Sequence, residues 1–158
     1  MSKIIVLVLR ITLVFFLLSA VLAQVLVPSI AADVGKNLPE LQHLVVPYAM
    51  LAIIAILIFQ VAIIAVWKLT SLVTANSLFT PAAPRLCKVI LICAAAATAL
   101  STLVFGHLIL IENNGGPGAV YMLVIGLFVG VAIALTMYVL GQMLDAATRE
   151  HNELKEVI

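Results

Sequence analysis

The stretch VVPYAMLAIIAILIFQVAIIAVW, residues 45–67, decides the fold of this chain. It contains no charged residue, and it exceeds the roughly 20 residues that a helix needs to cross about 30 Å of hydrocarbon. Three more stretches of the chain are also apolar and uncharged: 11–30, 89–111 and 119–144. Because lipid cannot hydrogen-bond an open backbone, each stretch must be a helix. The sequence therefore predicts an all-α membrane protein with four transmembrane helices in an antiparallel bundle.

The composition limits what else the chain can contain. Of its 158 residues, 65% are hydrophobic and only 9% are charged, whereas about 25% charged is usual in soluble domains. The four spans leave short loops and a tail at 145–158, which we expect to be a cytoplasmic helix, so the chain is one domain. A net charge of +1 does not suggest direct nucleic-acid binding, and the first partner is the lipid bilayer.

The distribution of basic residues predicts the orientation in the membrane. Cytoplasmic loops are enriched in lysine and arginine. One side of the predicted layout carries only Lys36, and the other carries the remaining seven basic residues: Lys3, Arg10, Lys68, Arg85, Lys88, Arg149 and Lys155. We therefore expect a multi-pass protein of the plasma membrane with both termini in the cytoplasm.

The N-terminus also resembles a signal peptide. Lys3 precedes an apolar run, and Val21-Leu22-Ala23 resembles a cleavage site. However, the apolar run continues to Ile30, and Arg10 interrupts its beginning. We expect the first span to be retained, with Arg10 extending to the inner headgroups; the alternative for Arg10 is a functional charge within the membrane.

The connections carry helix-start and turn signals. Residues 34–37 predict a turn, after which Pro39 predicts a short interfacial helix that runs into the second span. The inner connection, 68–88, should begin as a continuation of the second span. The third helix is predicted to start at Thr80-Pro81 or at Pro84.

Small residues indicate how two of the helices pack. Gly126, Gly130 and Ala134 repeat every four residues in the fourth span, and the third span is rich in alanine and serine over 94–101. Since small residues allow close approach of helices in lipid, we expect these two faces to pack within one chain. The alternative is a homo-oligomer with its seam at Gly126 and Gly130.

Polar residues within the spans are few, and none of them is charged. Gln60 is the most prominent; we interpret it as a hydrogen-bond partner between helices, with a ligand contact as the alternative. Pumps and ion channels usually place charges in the middle of their spans, so the composition argues against those functions. The two cysteines, Cys87 and Cys93, match no metal or redox spacing and are interpreted as packing residues.

One group of polar residues is a candidate metal or proton sensor. Glu40 and His43 have the i, i+3 spacing of helical metal sites, and Asp33, His107 and Glu112 are predicted on the same side. Metal bundles use two such pairs, and this chain has one, so we favour ordinary interfacial polarity and predict no metal or cofactor. Nor does any span end present a nucleophile with a base, so we expect no enzymatic activity and no catalytic residue.

Several segments resemble one known family. The chain is similar to the family called domain of unknown function 2975 in these segments: Val46-Pro47-Tyr48, Phe59-Gln60-Val61-Ala62, Ala65-Val66-Trp67-Lys68-Leu69, Phe79 and Glu153–Ile158. It departs from the family pattern at Asn76, where a glycine is common, and at Pro81 and Pro84. The resemblance implies a small bacterial four-helix membrane protein with no established activity. Its genes often lie beside a helix-turn-helix regulator, which implies a regulatory partner.

Three functions therefore compete. The chain could regulate a cytoplasmic helix-turn-helix transcription factor through its inner loop and tail. It could be a small carrier or channel for an uncharged solute, using Gln60. It could also be a structural subunit that packs against a larger membrane complex through Gly126 and Gly130.

Overall fold

The computed structural model describes residues 3–37, 39–75, 80–111 and 116–156, with side chains at all of these except 3, 39–41 and 151–156. The described chain forms four α-helices: α1 Lys3–Asn37, α2 Val45–Thr74, α3 Ala82–Leu110 and α4 Gly116–Glu156. A short 3₁₀ helix, Pro39–Leu44, leads directly into α2. All four α-helices are long and apolar enough to cross a membrane, which confirms the predicted fold class.

The helices form an open row. Helix α1 contacts α2, α2 contacts α3, and α3 contacts α4; among the described residues no other pair of α-helices is in contact. The first and last helices are therefore not joined into a closed ring. The row is antiparallel, and one end of it, here called the basic end, holds Arg10, Lys68, Arg85, Lys88 and Arg149.

The predicted turn at 34–37 is wrong, because α1 continues through Asn37. Two contacts stabilise its last turn. The side-chain amide of Asn37 donates to the backbone carbonyl of Asp33 at 2.9 Å, and the Lys36 ammonium pairs with the Asp33 carboxylate at 3.5 Å. Gly35 serves close packing and not a turn. A Cβ there would lie only 2.9 Å from a methyl carbon of Val45, where α2 begins.

The other boundaries lie near their predicted positions. The 3₁₀ helix begins at Pro39, as expected for the interfacial helix. Helix α2 extends seven residues beyond Trp67 to Thr74, and α3 begins at Ala82, between its two predicted starts. The run Asn113–Gly118, rich in asparagine and glycine, also predicts a tight turn between the third and fourth spans. Its first half lies outside the described residues, and its second half, from Gly116, is already the first turn of α4.

Tight packing is concentrated at the basic end. Many large apolar side chains are exposed, including much of α4, as expected where lipid is the solvent. The residues that are buried lie in the half of the row nearest the basic end, apart from Ala20 near the middle of α1: Val6, Leu13, Ile63, Ala65, Thr70, Ala83, Cys87, Ile90, Cys93 and Thr148. The row is thus best packed where its basic residues gather.

Candidate functional site

Gln60 bonds to a second glutamine across the α1–α2 contact. The Gln60 amide donates to the Gln24 carbonyl oxygen at 3.3 Å, and the Gln24 amide donates back to Gln60 at 3.5 Å. Both side chains are half-buried. An amide pair in lipid satisfies polar groups that water cannot reach, so this pair links two helices at one depth. The sequence does not reveal Gln24 as the partner of Gln60, because the pairing depends on how the two helices align.

Arg10 stacks on an aromatic ring at the basic end. Its guanidinium carbon lies 5.6 Å from the centre of the Trp67 ring, within the range of cation–π attraction. The side chain is half-buried, and its Nε is buried with no hydrogen-bond partner among the described residues. Arg10 therefore links the start of α1 to the end of α2 that lies at the basic end.

Tyr48 and His107 join α2 to α3 at the opposite end of the row. The Tyr48 hydroxyl and His107 Nδ1 lie 2.9 Å apart in a hydrogen bond, and the two rings meet edge to face at 6.2 Å. His107, one of the candidate sensor residues, is thus bonded to Tyr48.

Among the residues that the structure describes, the candidate sensor residues form no metal-ligand cluster. Asp33 pairs with Lys36, and His107 bonds to Tyr48. The side chain of Glu40 and all of Glu112 lie outside the described residues, while His43 is described and engaged in an interaction. Within the described residues, no three histidine, cysteine, aspartate or glutamate side chains are grouped to hold a metal ion.

Helices α3 and α4 meet at glycine and hydroxyl groups. A Cβ on Gly130 would overlap the Thr98 hydroxyl and lie 2.9 Å from Thr98 Cβ; a Cβ on Gly126 would lie 3.1 Å from the Ser101 hydroxyl. Ala134 lines a shallow groove beside Gly130, together with Ala95 and other small residues of α3. The structure thus places all three predicted packing residues along the contact with α3.

The last helix extends well past the apolar stretch that it contains. Helix α4 has 41 residues and ends at Glu156, so it measures about 62 Å at 1.5 Å per residue, twice the roughly 30 Å of hydrocarbon. Beyond Leu144, Arg149 donates to Asp145 at 3.1 Å on an exposed face. Thr148 is buried and bonds to the Leu144 carbonyl. The tail therefore has a buried side at Thr148 and an exposed, charged side at Asp145 and Arg149.

Three comparisons with known proteins bear on the identity of this chain. The family model described as "Protein of unknown function (DUF2975)" matches residues 29–158. Searches of curated proteins and of solved structures found no match. Since the family model covers most of the chain, the protein belongs to the DUF2975 family, and this confirms the resemblance found in its sequence.

Proposed function

We propose that this DUF2975 protein is a membrane-embedded regulator whose tail holds a cytoplasmic helix-turn-helix transcription factor. The observation that carries the proposal is the length of α4, which continues about 18 Å beyond Leu144 as one helix. A helix continuous with a transmembrane span can present a rigid surface to a water-soluble partner. The site is then the tail together with the basic end that anchors it.

The orientation supports this placement. The basic end carries nearly all the lysine and arginine of the chain, and such residues favour the cytoplasmic side. In the plasma membrane of a bacterium this puts both termini, and hence the α4 tail, in the compartment where transcription factors act.

The packing supports a surface that responds to the membrane. Thr148, near the start of the tail, is buried beside the tightly packed half of the row. A change in how α3 and α4 meet would therefore move the exposed Asp145–Arg149 face. A partner bound to that face would be released or retained accordingly.

The competing functions draw less support from the same contacts. A carrier would need Gln60 for its solute, but Gln60 already bonds to Gln24. The hydroxyls of Thr98, Thr102 and Thr136 bond to carbonyls of their own helices. A structural subunit would need Gly126 and Gly130 at its surface, but both face α3.

The proposal is tested by purifying the full chain and a chain ending at Asp145 from detergent extracts of the native host. We expect a helix-turn-helix protein, identified by mass spectrometry, to co-purify with the full chain and not with the shortened one. Expression of the genes which that protein controls should change in cells carrying the shortened chain. An unchanged expression profile and an absence of any such protein from both preparations would refute the proposal.

A pair of charge reversals controls for general surface effects. Arg149→Glu breaks the exposed ion pair of the tail, and Lys36→Glu breaks a comparable exposed pair at the opposite end. Only Arg149→Glu should weaken capture of the transcription factor. Equal capture by both variants would place the partner surface elsewhere.

A further inference from the structure

A cavity of about 590 Å³ opens between α3 and α4 at the basic end. This volume lies within the 300–1,000 Å³ typical of small-molecule sites. Arg85, Lys88, Tyr138 and Gln142 supply polar groups to its wall, and Leu91 and Met137 supply apolar ones. The cavity plays no part in the helix contacts described above.

The helix packing creates this space. Gly141 also lines the cavity, and a Cβ there would lie 3.5 Å from Cys87 Cβ. Cys87 is fully buried. The two helices thus meet closely at Gly141 and Cys87. Because Gly141 has no side chain, a space remains there, and the longer side chains on either side of the contact enclose it.

The cavity has unbalanced positive charge. Arg85 and Lys88 are exposed, and neither makes an ion pair or a side-chain hydrogen bond with any part of the chain that the structure describes. Asp145 is the acidic residue of the lining, and its carboxylate is already paired with Arg149 at 3.1 Å. Among the described residues, Arg85 and Lys88 therefore line the cavity without an ion-pair partner of their own, and the lining, Asp145 included, has a net positive charge.

The two cations and the apolar residues of the lining are ordered along the membrane normal. Arg85 and Lys88 precede Val89, where the uncharged stretch of α3 starts, while Leu91 lies within it. The cations are thus at headgroup depth, and the apolar part of the lining lies deeper. A free phosphate would use only the cations, whereas an anionic phospholipid matches both parts.

We propose that this cavity binds the headgroup of an anionic phospholipid of the inner leaflet, with its phosphate between Arg85 and Lys88. Arginine and lysine donate charge-assisted hydrogen bonds to phosphate oxygens, and basic pockets between transmembrane helices on the cytoplasmic side suit anionic headgroups. The first part of an acyl chain lies against Leu91 and Met137. This inference does not depend on the tail binding a transcription factor.

The test measures lipid binding to the full chain by native mass spectrometry in a neutral detergent. Phosphatidylglycerol and phosphatidylcholine are the two probes. We expect retention of phosphatidylglycerol over phosphatidylcholine. Arg85→Gln and Lys88→Gln should each weaken phosphatidylglycerol binding about fivefold, since one basic residue near an anionic surface contributes about 1 kcal/mol.

Lys68→Gln is the matched control. Lys68 is an exposed cation at the same end but is not part of the cavity wall. Because it cannot contact a phosphate held between Arg85 and Lys88, its loss should leave phosphatidylglycerol binding unchanged. Equal binding of both lipids, or equal losses in all three variants, would overturn the proposal. If inorganic phosphate displaces phosphatidylglycerol completely, the site belongs to a free anion and the lipid assignment is wrong. Because every readout is lipid binding, failure here leaves the tail experiment unaffected.

Discussion

Gly130 is the residue at which the α3–α4 contact leaves least room for a side chain. The nearest obstacle is Thr98, whose hydroxyl donates to the Ala94 carbonyl at 2.8 Å. Rotation of the threonine could move its hydroxyl but not its Cβ, which would still lie 2.9 Å from an added methyl group. A side chain at 130 therefore forces the two helices apart.

Gly130→Ala should destabilise the protein by about 1–3 kcal/mol, the usual cost of overpacking a close contact. Gly106→Ala in α3 is the control, because a Cβ there meets nothing within 4 Å; it should be neutral or slightly stabilising, since alanine is the better helix former. Unfolding in mixed micelles measures both.

A larger substitution at the same position distinguishes the two interpretations of the glycine face. If the native chain runs as a dimer on a gel in mild detergent and Gly130→Leu converts it to a stable monomer, the glycines lie between copies and the contact within one chain is wrong. A monomer that is simply less stable agrees with the structure.

At the level of elements, helix α1 is attached to α2 by side-chain contacts that differ in kind. These are the Gln24–Gln60 amide pair, the Arg10–Trp67 stack and the edge-to-face rings of Phe16 and Phe59. Burial of apolar surface does not drive helix association in lipid. Such specific contacts are therefore what positions α1 in the row.

A double-mutant cycle on Gln24 and Gln60 tests the amide pair. Each single change to leucine should cost about 0.6–1.7 kcal/mol, the range of hydrogen bonds between membrane helices. The double variant should be more stable than the sum of the two losses implies, because no unpaired amide remains. Strictly additive losses would mean that the two glutamines act separately, as they would if Gln60 contacted a ligand.

The elements show where sequence reasoning succeeds and where it stops. The start of α2 at Val45 and the 3₁₀ helix at Pro39 follow from local signals, a proline and the onset of an apolar run. The turn predicted at Gly35 fails because the glycine serves a distant contact with Val45, which no local pattern reveals. Gln24 was missed as the partner of Gln60 for the same reason: the register between two helices is not a local property.

At the scale of the whole molecule, the four spans and the contact between α3 and α4 were predictable, and the open row was not. A span is recognised from its own length and lack of charge. Which helices become neighbours depends on a few close contacts, and the open row with its tightly packed basic end emerges only from the structure. The cavity lined by Arg85 and Lys88 belongs to this scale as well, because its two walls come from residues more than forty positions apart along the chain.

A paired reporter map tests most directly whether the four helices cross the membrane with the basic end in the cytoplasm. Alkaline phosphatase, active only outside the cytoplasm, and green fluorescent protein, which folds inside it, are each fused after Asn114 and after Ile158. We predict active phosphatase at Asn114 only and fluorescence at Ile158 only. Fluorescence at Asn114 with active phosphatase at Ile158 would invert the orientation, and the same reporter active at both positions would contradict the four-helix crossing.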